Sequence, residues 1–354
     1  MNNIMLVGGT FGDRDENKAG KKSSVVTKLS VLFNCSTING GNISRLREFN
    51  FNKLKPNTLL IWMPNISNDV EKILPKIKKE APHILLMISK RPDTVGFTRN
   101  DMIGKMLKAH AGLGLIIHKK NNQFSFELLD PLGNTFANTS SLSTLASNIS
   151  ARYRYLSQAV RLPSLKLHHF DIFDIPKSFI STVQIIGKEL NKHASAVNPN
   201  RLFGNASTRC GFGFPAVRHF KNRIFVTRRN IEKSSIISNN FVQALLSTDG
   251  KEVLYTGDHK PSVDTPIQLK LFEKYPHIKY MMHGHCYTDI NAPMTKHYIP
   301  CGDLREVADV IEAVKDPSDQ MTVNLRGHGF LMMGTTHEWM RNIPLIGLQE
   351  IDHG

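Results

Sequence analysis

The first 130 residues alternate short apolar runs with amphipathic stretches of helical period, and this alternation restricts the fold more than any other feature of the chain. The apolar runs fall at 3–8, 58–63, 83–89, 113–118 and 124–129, and the helix-period stretches at 23–33, 69–80 and 99–110. Short strands that are apolar on both faces need helices above and below them, which predicts an α/β fold with a Rossmann-like open sheet. Asp130-Pro-Leu-Gly-Asn134 has turn chemistry, and a Ser/Thr/Asn-rich stretch follows at 134–150. The predicted N-terminal domain spans 1–150, with a connector at 151–171 that includes Val160-Arg-Leu-Pro163.

A second domain is predicted over 172–354. It opens on a helix-like segment at 177–194 and continues with strand-like runs at 203–210, 223–227, 279–283 and 323–333, which carry unusual polar residues. No run of about 18 apolar residues occurs, so no membrane span is expected. The start, Met1-Asn-Asn-Ile-Met-Leu-Val, lacks the charged segment and cleavage site of a secretion signal. Four cysteines, Cys35, Cys210, Cys286 and Cys301, do not make a disulfide framework for 354 residues. A reduced, cytoplasmic protein is the expectation.

Lys and Arg number 45 against 30 Asp and Glu, a formal charge of +15. Residues 1–150 hold 20 basic and 11 acidic residues, and residues 151–354 hold 25 and 19, so the excess is spread over both halves. A spread excess suits anionic partners such as phosphorylated metabolites or nucleotides, and equally a basic surface with no partner. Nucleic-acid binding is not expected, because aromatic residues make up 8% and no basic–aromatic interleaving is present.

The sharpest chemical signal is Met281-Met-His283-Gly-His285. Side chains on a strand alternate with period two, so both imidazoles share a face, and neutral imidazole is the commonest ligand of a divalent transition metal. A catalytic site needs a third ligand and an open position. His328, in Leu325-Arg-Gly-His328-Gly-Phe, is the best candidate, at the end of another apolar strand and between two glycines. Nineteen residues before His283 stands Asp264, in Pro261-Ser-Val-Asp264-Thr-Pro266. It reads both as a helix N-terminal residue and as a carboxylate able to move a proton beside a metal. Gly204-Asn205-Ala-Ser207-Thr-Arg209 is a small polar turn whose donors suit an oxyanion, and Thr227-Arg228-Arg229-Asn230 is a second anion-binding candidate. For both turns a solvated loop is the plain alternative.

In order and spacing, G-N-A-S-T-R, then P-S-V-D, then H-G-H, then G-H-G resembles the class II aldolase/adducin-head family, over residues 172–340. The interval from P-S-V-D to H-G-H looks like that of the L-fuculose-1-phosphate aldolases. The resemblance implies an α/β/α domain around a largely antiparallel sheet, assembled as a homo-tetramer with sites at subunit interfaces. It implies Zn²⁺ or another divalent ion on His283, His285 and His328, with Asp264 as the catalytic acidic residue. Gly204, Asn205, Ser207 and Ser262 would hold a substrate phosphate, joined by Thr227 and Arg228. The implied activity is that of a zinc-dependent lyase, cleaving a phosphorylated sugar or related polyol by retro-aldol chemistry through a metal-stabilised enediolate. Epimerisation or dehydration on the same site, or a non-enzymatic adducin-like binding module, are the alternatives.

Three departures stand out. Asp264 occupies a position where the family usually has Glu, and Asn230 stands where its second phosphate loop often has Gly. The chain runs only 26 residues beyond His328, so the C-terminal segment that often supplies a catalytic Tyr is short, and Tyr287 and Tyr298 are the possible substitutes.

In the N-terminal half, Gly8-Gly9-Thr10-Phe-Gly12 follows a strand and precedes a basic segment and a helix-like run. Two readings stand: a loop for a nucleotide or other phosphorylated ligand, with Gly8, Gly9, Thr10 and Gly12 giving backbone donors, or a structural glycine turn. The motif is neither G-x-G-x-x-G nor a P-loop, and it lacks the H-x-G-H that a nucleotidyltransferase needs. Ser89-Lys-Arg-Pro-Asp93 lies after a strand at the same predicted sheet edge.

Overall fold

The computed structural model describes residues 3–10, 24–39, 43–65, 73–90, 96–120, 123–167, 175–194, 204–209, 223–288 and 291–347. The chain divides into two compact units, Met1–Gln158 and Ala159–Gly354.

The N-terminal unit is built on seven strands: β1 (Ile4–Thr10), β2 (Ser36–Asn39), β3 (Leu59–Asn65), β4 (Leu85–Lys90), β5 (Leu113–Lys120), β6 (Gln123–Leu129) and β7 (Thr135–Thr139). They lie in the order β2-β1-β3-β4-β5-β6-β7. The first five are parallel, and β6 and β7 continue as an antiparallel meander at one edge. The helices are α1 (Ser24–Phe33), α2 (Ile43–Glu48), α3 (Ile73–Glu80), α4 (Arg99–Ala109) and α5 (Leu142–Ser157).

One face of the sheet, with Leu6, Ile61, Met87 and Leu115, buries Val26 and Leu29 of α1 and Leu145, Ile149 and Tyr153 of α5. Val7, Leu60, Trp62, Leu86 and Ile88, the alternate residues of the same strands, are buried too, which is why these strands are apolar throughout. A capping box starts α4: Thr98 Oγ1 accepts the Asp101 N–H at 3.2 Å, and Asp101 accepts the Thr98 N–H at 2.8 Å.

Several elements depart from expectation. β2 and α2 fall between 33 and 58, where no element is expected, and β7 and α5 fall in the Ser/Thr/Asn-rich stretch. α5 runs through the predicted domain end at 150, and its buried Leu145, Ile149, Tyr153 and Leu156 mark a helix face within the Ser/Asn-rich composition. Part of the predicted connector is a strand, β8 (Ser164–Lys166).

The C-terminal unit carries β8 with β9 (Asn205–Arg209), β10 (Ile224–Thr227), β11 (Phe241–Leu246), β12 (Val253–Tyr255), β13 (Tyr280–Gly284), β14 (Tyr287–Thr288), β15 (Gln320–Leu325), β16 (Gly329–Gly334) and β17 (Leu345–Ile346). Eight of these form a sheet ordered β15-β16-β13-β9-β10-β11-β12-β8, antiparallel except for the β12–β8 pair, and β14 and β17 form a short ribbon. α6 (Lys177–Ala194) covers one face through Phe179, Val183, Ile186 and Leu190. On the other face, Ile267, Leu271 and Phe272 of α7 (Thr265–Lys274) and Val310 of α8 (Arg305–Ala313) join a core with Val226, Met281 and Leu331. The result is a three-layered α/β/α domain around a largely antiparallel sheet. The apolar run at 323–333, read as one strand, is instead the hairpin of β15 and β16, broken by Gly327 and Gly329 at φ 67° and 149°. Among the described residues, no helix is long and apolar enough to cross a membrane.

Candidate metal centre

β13 lies in the middle of the second sheet, between β9 and β16, and its pleat sends Met281 and His283 to the α7 side. His285 follows just past the strand end. His328 comes from the turn of the β15–β16 hairpin, which brings a residue 45 positions from His283 to the same sheet edge. The rings gather: His283 lies 5.0 Å from His285 and 4.7 Å from His328 between centroids, and His285 lies 5.1 Å from His328. Donor atoms of these three residues and of Asp264 all lie within 4.8 Å of one another.

Two of the imidazoles are oriented from behind. His283 Nδ1 donates to the Phe330 carbonyl at 2.8 Å, and since a carbonyl can only accept, the ring's lone pair is on Nε2. His328 Nδ1 bonds Glu306 Oε1 at 2.7 Å, a carboxylate from α8 that is itself 3% exposed. Both Nε2 atoms are buried with no hydrogen-bond partner. A buried ring nitrogen without a partner is costly unless something else satisfies it, and three imidazoles with a carboxylate are a donor set for a divalent transition ion. The residues present therefore fit a metal.

For His283 the electrostatics agree. Burial holds the His283 pKa down to about 4, so the ring is neutral at ordinary pH and able to ligate. For His328, burial pulls the pKa down, but the Cys301 thiol and the Glu306 carboxylate outweigh it and the net direction is upward. Burial in turn raises Glu306, partly offset by His328. This carboxylate–histidine pair is the arrangement that fixes a metal-binding ring from its far side.

Asp264 is the N-cap residue of α7, yet its side chain does not cap the helix. It turns inward, where Oδ1 accepts the Gly302 N–H at 2.8 Å and Oδ2 accepts Asn205 Nδ2 at 3.1 Å, 3.8 Å from His283 Nε2. Asn205 also donates to Ser262 Oγ at 3.1 Å and accepts from Gln268, so its amide is engaged in holding Asp264. Gly204 allows this approach: at φ 89°, a Cβ there would stand 2.5 Å from the His283 carbonyl oxygen.

The other expected residues spread around this centre. Ser207 is buried on β9 beside Met281 in the register, two residues beyond the Asn205–His283 pair. Thr227 Oγ1 accepts the Ala206 N–H at 3.3 Å, and the Thr227 carbonyl accepts the Ser262 N–H at 3.1 Å, which ties β10 to the Asp264 segment. Arg228 is half-buried at a bridge to Pro261. Arg209 has a structural role, giving its guanidinium to the carbonyls of Phe272, Tyr275 and Ile278 at the end of α7. Tyr287 is fully buried and accepts the Gly327 N–H at 2.6 Å, so it supports the His328 turn, and Tyr298 lies under the Arg326 guanidinium.

In the N-terminal unit, Gly8, Gly9 and Thr10 form the C-terminal end of β1 beside the end of β3, where the strand order reverses. That crevice is where open α/β sheets bind ligands. Gly12 and 91–93 lie outside the described residues. Glu306 was not anticipated. Its one signal is a helix whose buried stripe carries two acids, Glu306 and Asp309, next to Val310.

Residues 200–341 match the profile of the family described as Class II Aldolase and Adducin N-terminal domain, and the C-terminal unit contains a class II aldolase domain. The chain is similar to the solved structure of an L-fuculose 1-phosphate aldolase at 15% identity, over 48% of this chain and 80% of that one, with a TM-score of 0.34. It is similar at 18% identity to the N-terminal class II aldolase domain of a conserved protein from Thermoplasma acidophilum, over 49% and 91% of the two chains, with a TM-score of 0.34. A DNA/pantothenate metabolism flavoprotein from Streptococcus pneumoniae is similar at 12% identity, over 44% of this chain and 100% of that one, with a TM-score of 0.34. No curated protein sequence matches the chain.

Proposed function

We propose that the C-terminal unit is a divalent-metal-dependent lyase that cleaves a phosphorylated sugar or related polyol by a retro-aldol reaction. The observation that supports it most is the convergence of Asp264, His283, His285 and His328, with two buried Nε2 atoms that no protein group satisfies. Zinc or another divalent transition ion held there would act as a Lewis acid on a substrate carbonyl and on the negative charge that grows as the carbon–carbon bond breaks.

The chain's own residues have separable tasks in this reading. Phe330 and Glu306 fix the His283 and His328 rings so that they present Nε2 without reorganisation. Gly302 and Asn205 hold Asp264 as an oriented carboxylate, so its Oδ2 takes the proton of the substrate hydroxyl whose carbon leaves as an aldehyde. It then returns that proton to the carbon left behind, and the reaction needs no outside oxidant or base. As an Asp it reaches one methylene less far than the Glu of similar proteins, and its inward turn from the N-cap position brings it within 3.8 Å of His283 Nε2. The phosphate would contact the segment that joins Gly204, Thr227 and Ser262. A homo-oligomer belongs to the same reading and is checked by light scattering.

The test is incubation of the zinc-reconstituted chain with a panel of ketose 1-phosphates, followed by assay for an aldehyde and a three-carbon ketose phosphate. Cleavage that stops on chelation supports the lyase. Bound zinc without cleavage, but with inversion or loss of water from the same substrates, would replace the lyase by an epimerase or dehydratase. Absence of any turnover with zinc bound would leave a binding module.

A further inference from the structure

Behind Asp264 lies a short chain of amides whose hydrogen bonds all run in one direction. Gln268 stands one turn into α7 from Asp264, and its Nε2 donates to Asn205 Oδ1 on β9. Asn205 Nδ2 in turn donates to Ser262 Oγ and to Asp264 Oδ2, each at 3.1 Å. Asn205 and Gln268 are fully buried, so bulk water does not compete for these bonds.

The direction follows from what each group can do. A side-chain amide has a donor end and an acceptor end, whereas a carboxylate only accepts. Asp264 Oδ1 accepts the Gly302 N–H at 2.8 Å, which pins the carboxylate beside Asn205. Turned over, Asn205 would set its carbonyl oxygen against Asp264 Oδ2, two buried acceptors face to face, and its own donors against the Gln268 donors. The observed order has a cost, since Gln268 Oε1 is buried with no hydrogen-bond partner. A methionine would fill a similar space without an orphaned acceptor. What the glutamine supplies instead is the orientation of Asn205.

That orientation sorts the two groups on the far side of Asn205. Asp264 Oδ2 is held as an acceptor. Ser262 Oγ also accepts from Asn205, and among the described residues its own O–H has no acceptor, so it is left to donate to a group that enters beside Asp264.

We infer that Gln268 is a positioning residue that acts through Asn205, making Ser262 a donor and Asp264 an acceptor toward the substrate. Its use in chemistry rests on the lyase reading. It narrows the substrate to one that sets a hydroxyl against Asp264 and, next to it, an acceptor oxygen against Ser262.

The direct test is a neutron structure of the wild-type chain crystallised from D2O, in which the Asn205 deuterons are seen. They are expected on the Ser262 and Asp264 side, and deuterons facing Gln268 overturn the inference. A double-variant melting cycle in the full chain, zinc-loaded and metal-free, tests the coupling. Gln268→Met frees Asn205 to turn its carbonyl toward position 264, where the amide introduced by Asp264→Asn can donate to it. In the wild-type background that amide meets the Asn205 donors instead. The change in Tm caused by Asp264→Asn should therefore be more favourable, by about 2–4 °C, in the Gln268→Met chain than in the wild type. The Gln268 and Asp264 side chains share no hydrogen bond, so a Gln268 that only fills space gives additive changes, and additivity overturns the inference. If Gln268→Met does not fold, the neutron structure decides alone.

With a cleaved substrate, Gln268→Met should keep its zinc and lower kcat about ten-fold, and an unchanged kcat overturns the inference. A wild type without turnover removes the lyase reading alone, while the neutron structure and the melting cycle still decide the direction of the amides.

Discussion

Strands β3 and β9 both lie inside their sheets, yet β3 begins Leu-Leu-Ile-Trp-Met and β9 reads Asn-Ala-Ser-Thr-Arg. Residues 59–63 of β3 are all buried, each large aliphatic side chain contributing about 1.5–3 kcal/mol by leaving water. On β9, Asn205, Ser207 and Thr208 are equally buried, but polar groups in that position stabilise only as far as hydrogen bonds replace water, and the Ser207 and Thr208 hydroxyls have none. The N-terminal sheet is arranged for stability, with its polar residues at the strand ends. The C-terminal sheet gives up stability in its interior to hold Asp264 beside His283. Buried polar atoms without a partner occur in both units, Trp62 Nε1 on β3 among them, but the pair of imidazole nitrogens on His283 and His328 gathers in the C-terminal unit beside Asp264.

Substitutions can break this contrast or sharpen it. The largest expected effect is on chemistry: Asp264→Asn should keep its zinc and lower kcat by about 10²–10⁴-fold, since proton transfer is lost while the ligating rings stay in place. Retained activity, read by steady-state kinetics beside metal analysis, would remove Asp264 from the proton-carrying role.

In the N-terminal unit, Leu60→Ala should lower stability by about 2–5 kcal/mol in denaturant titration and leave zinc content unchanged. A simultaneous loss of zinc would mean that the two units are not separable in this way.

The third effect is one of pH. The folded pKa of Lys233, near 8, lies below the ordinary lysine value of 10.5, so between these limits the unfolded chain binds more protons. Stability must then rise with pH across that window, by an amount on the order of 3 kcal/mol in full, and the destabilisation is complete below pH 8. The titratable groups coupled to it electrostatically are Glu232, Asp264 and His283. Subtracting the Lys233→Met profile isolates the effect, and parallel profiles would show that the lysine is not buried as a cation. Smallest is Glu306→Gln, which should weaken zinc affinity about 10–100-fold in a chelator competition while the fold persists. Unchanged affinity would reduce Glu306 to a core partner of His328.

Much of the architecture was legible because its cause is local. The apolar runs that became β1, β3, β4, β5 and β6 declare themselves within a few residues, as do α1, α4 and α6. The helix α5 was hidden because its exposed face is Ser- and Asn-rich, which masks a regular buried stripe. The hairpin of β15 and β16 was read as one strand because hydrophobicity cannot reveal a reversal made by backbone conformation at Gly327 and Gly329.

At the site, the H-x-H pair and His328 were legible as candidate metal ligands and Asp264 as a carboxylate at a helix start, and the structure brings the four together. Glu306 was not. It matters through one long-range approach, to His328, and no period or motif records such a meeting. Tyr287, one of two possible substitutes for a catalytic tyrosine, is buried and accepts the Gly327 N–H beside the His328 turn.

The measurement that bears most directly on the central claim is the zinc content of the purified, zinc-reconstituted chain by mass spectrometry, with His328→Ala beside it. The account predicts about one zinc per chain in the wild type and its loss in the variant, with both remaining folded by circular dichroism. No zinc in the wild type, or equal zinc in both, would contradict it.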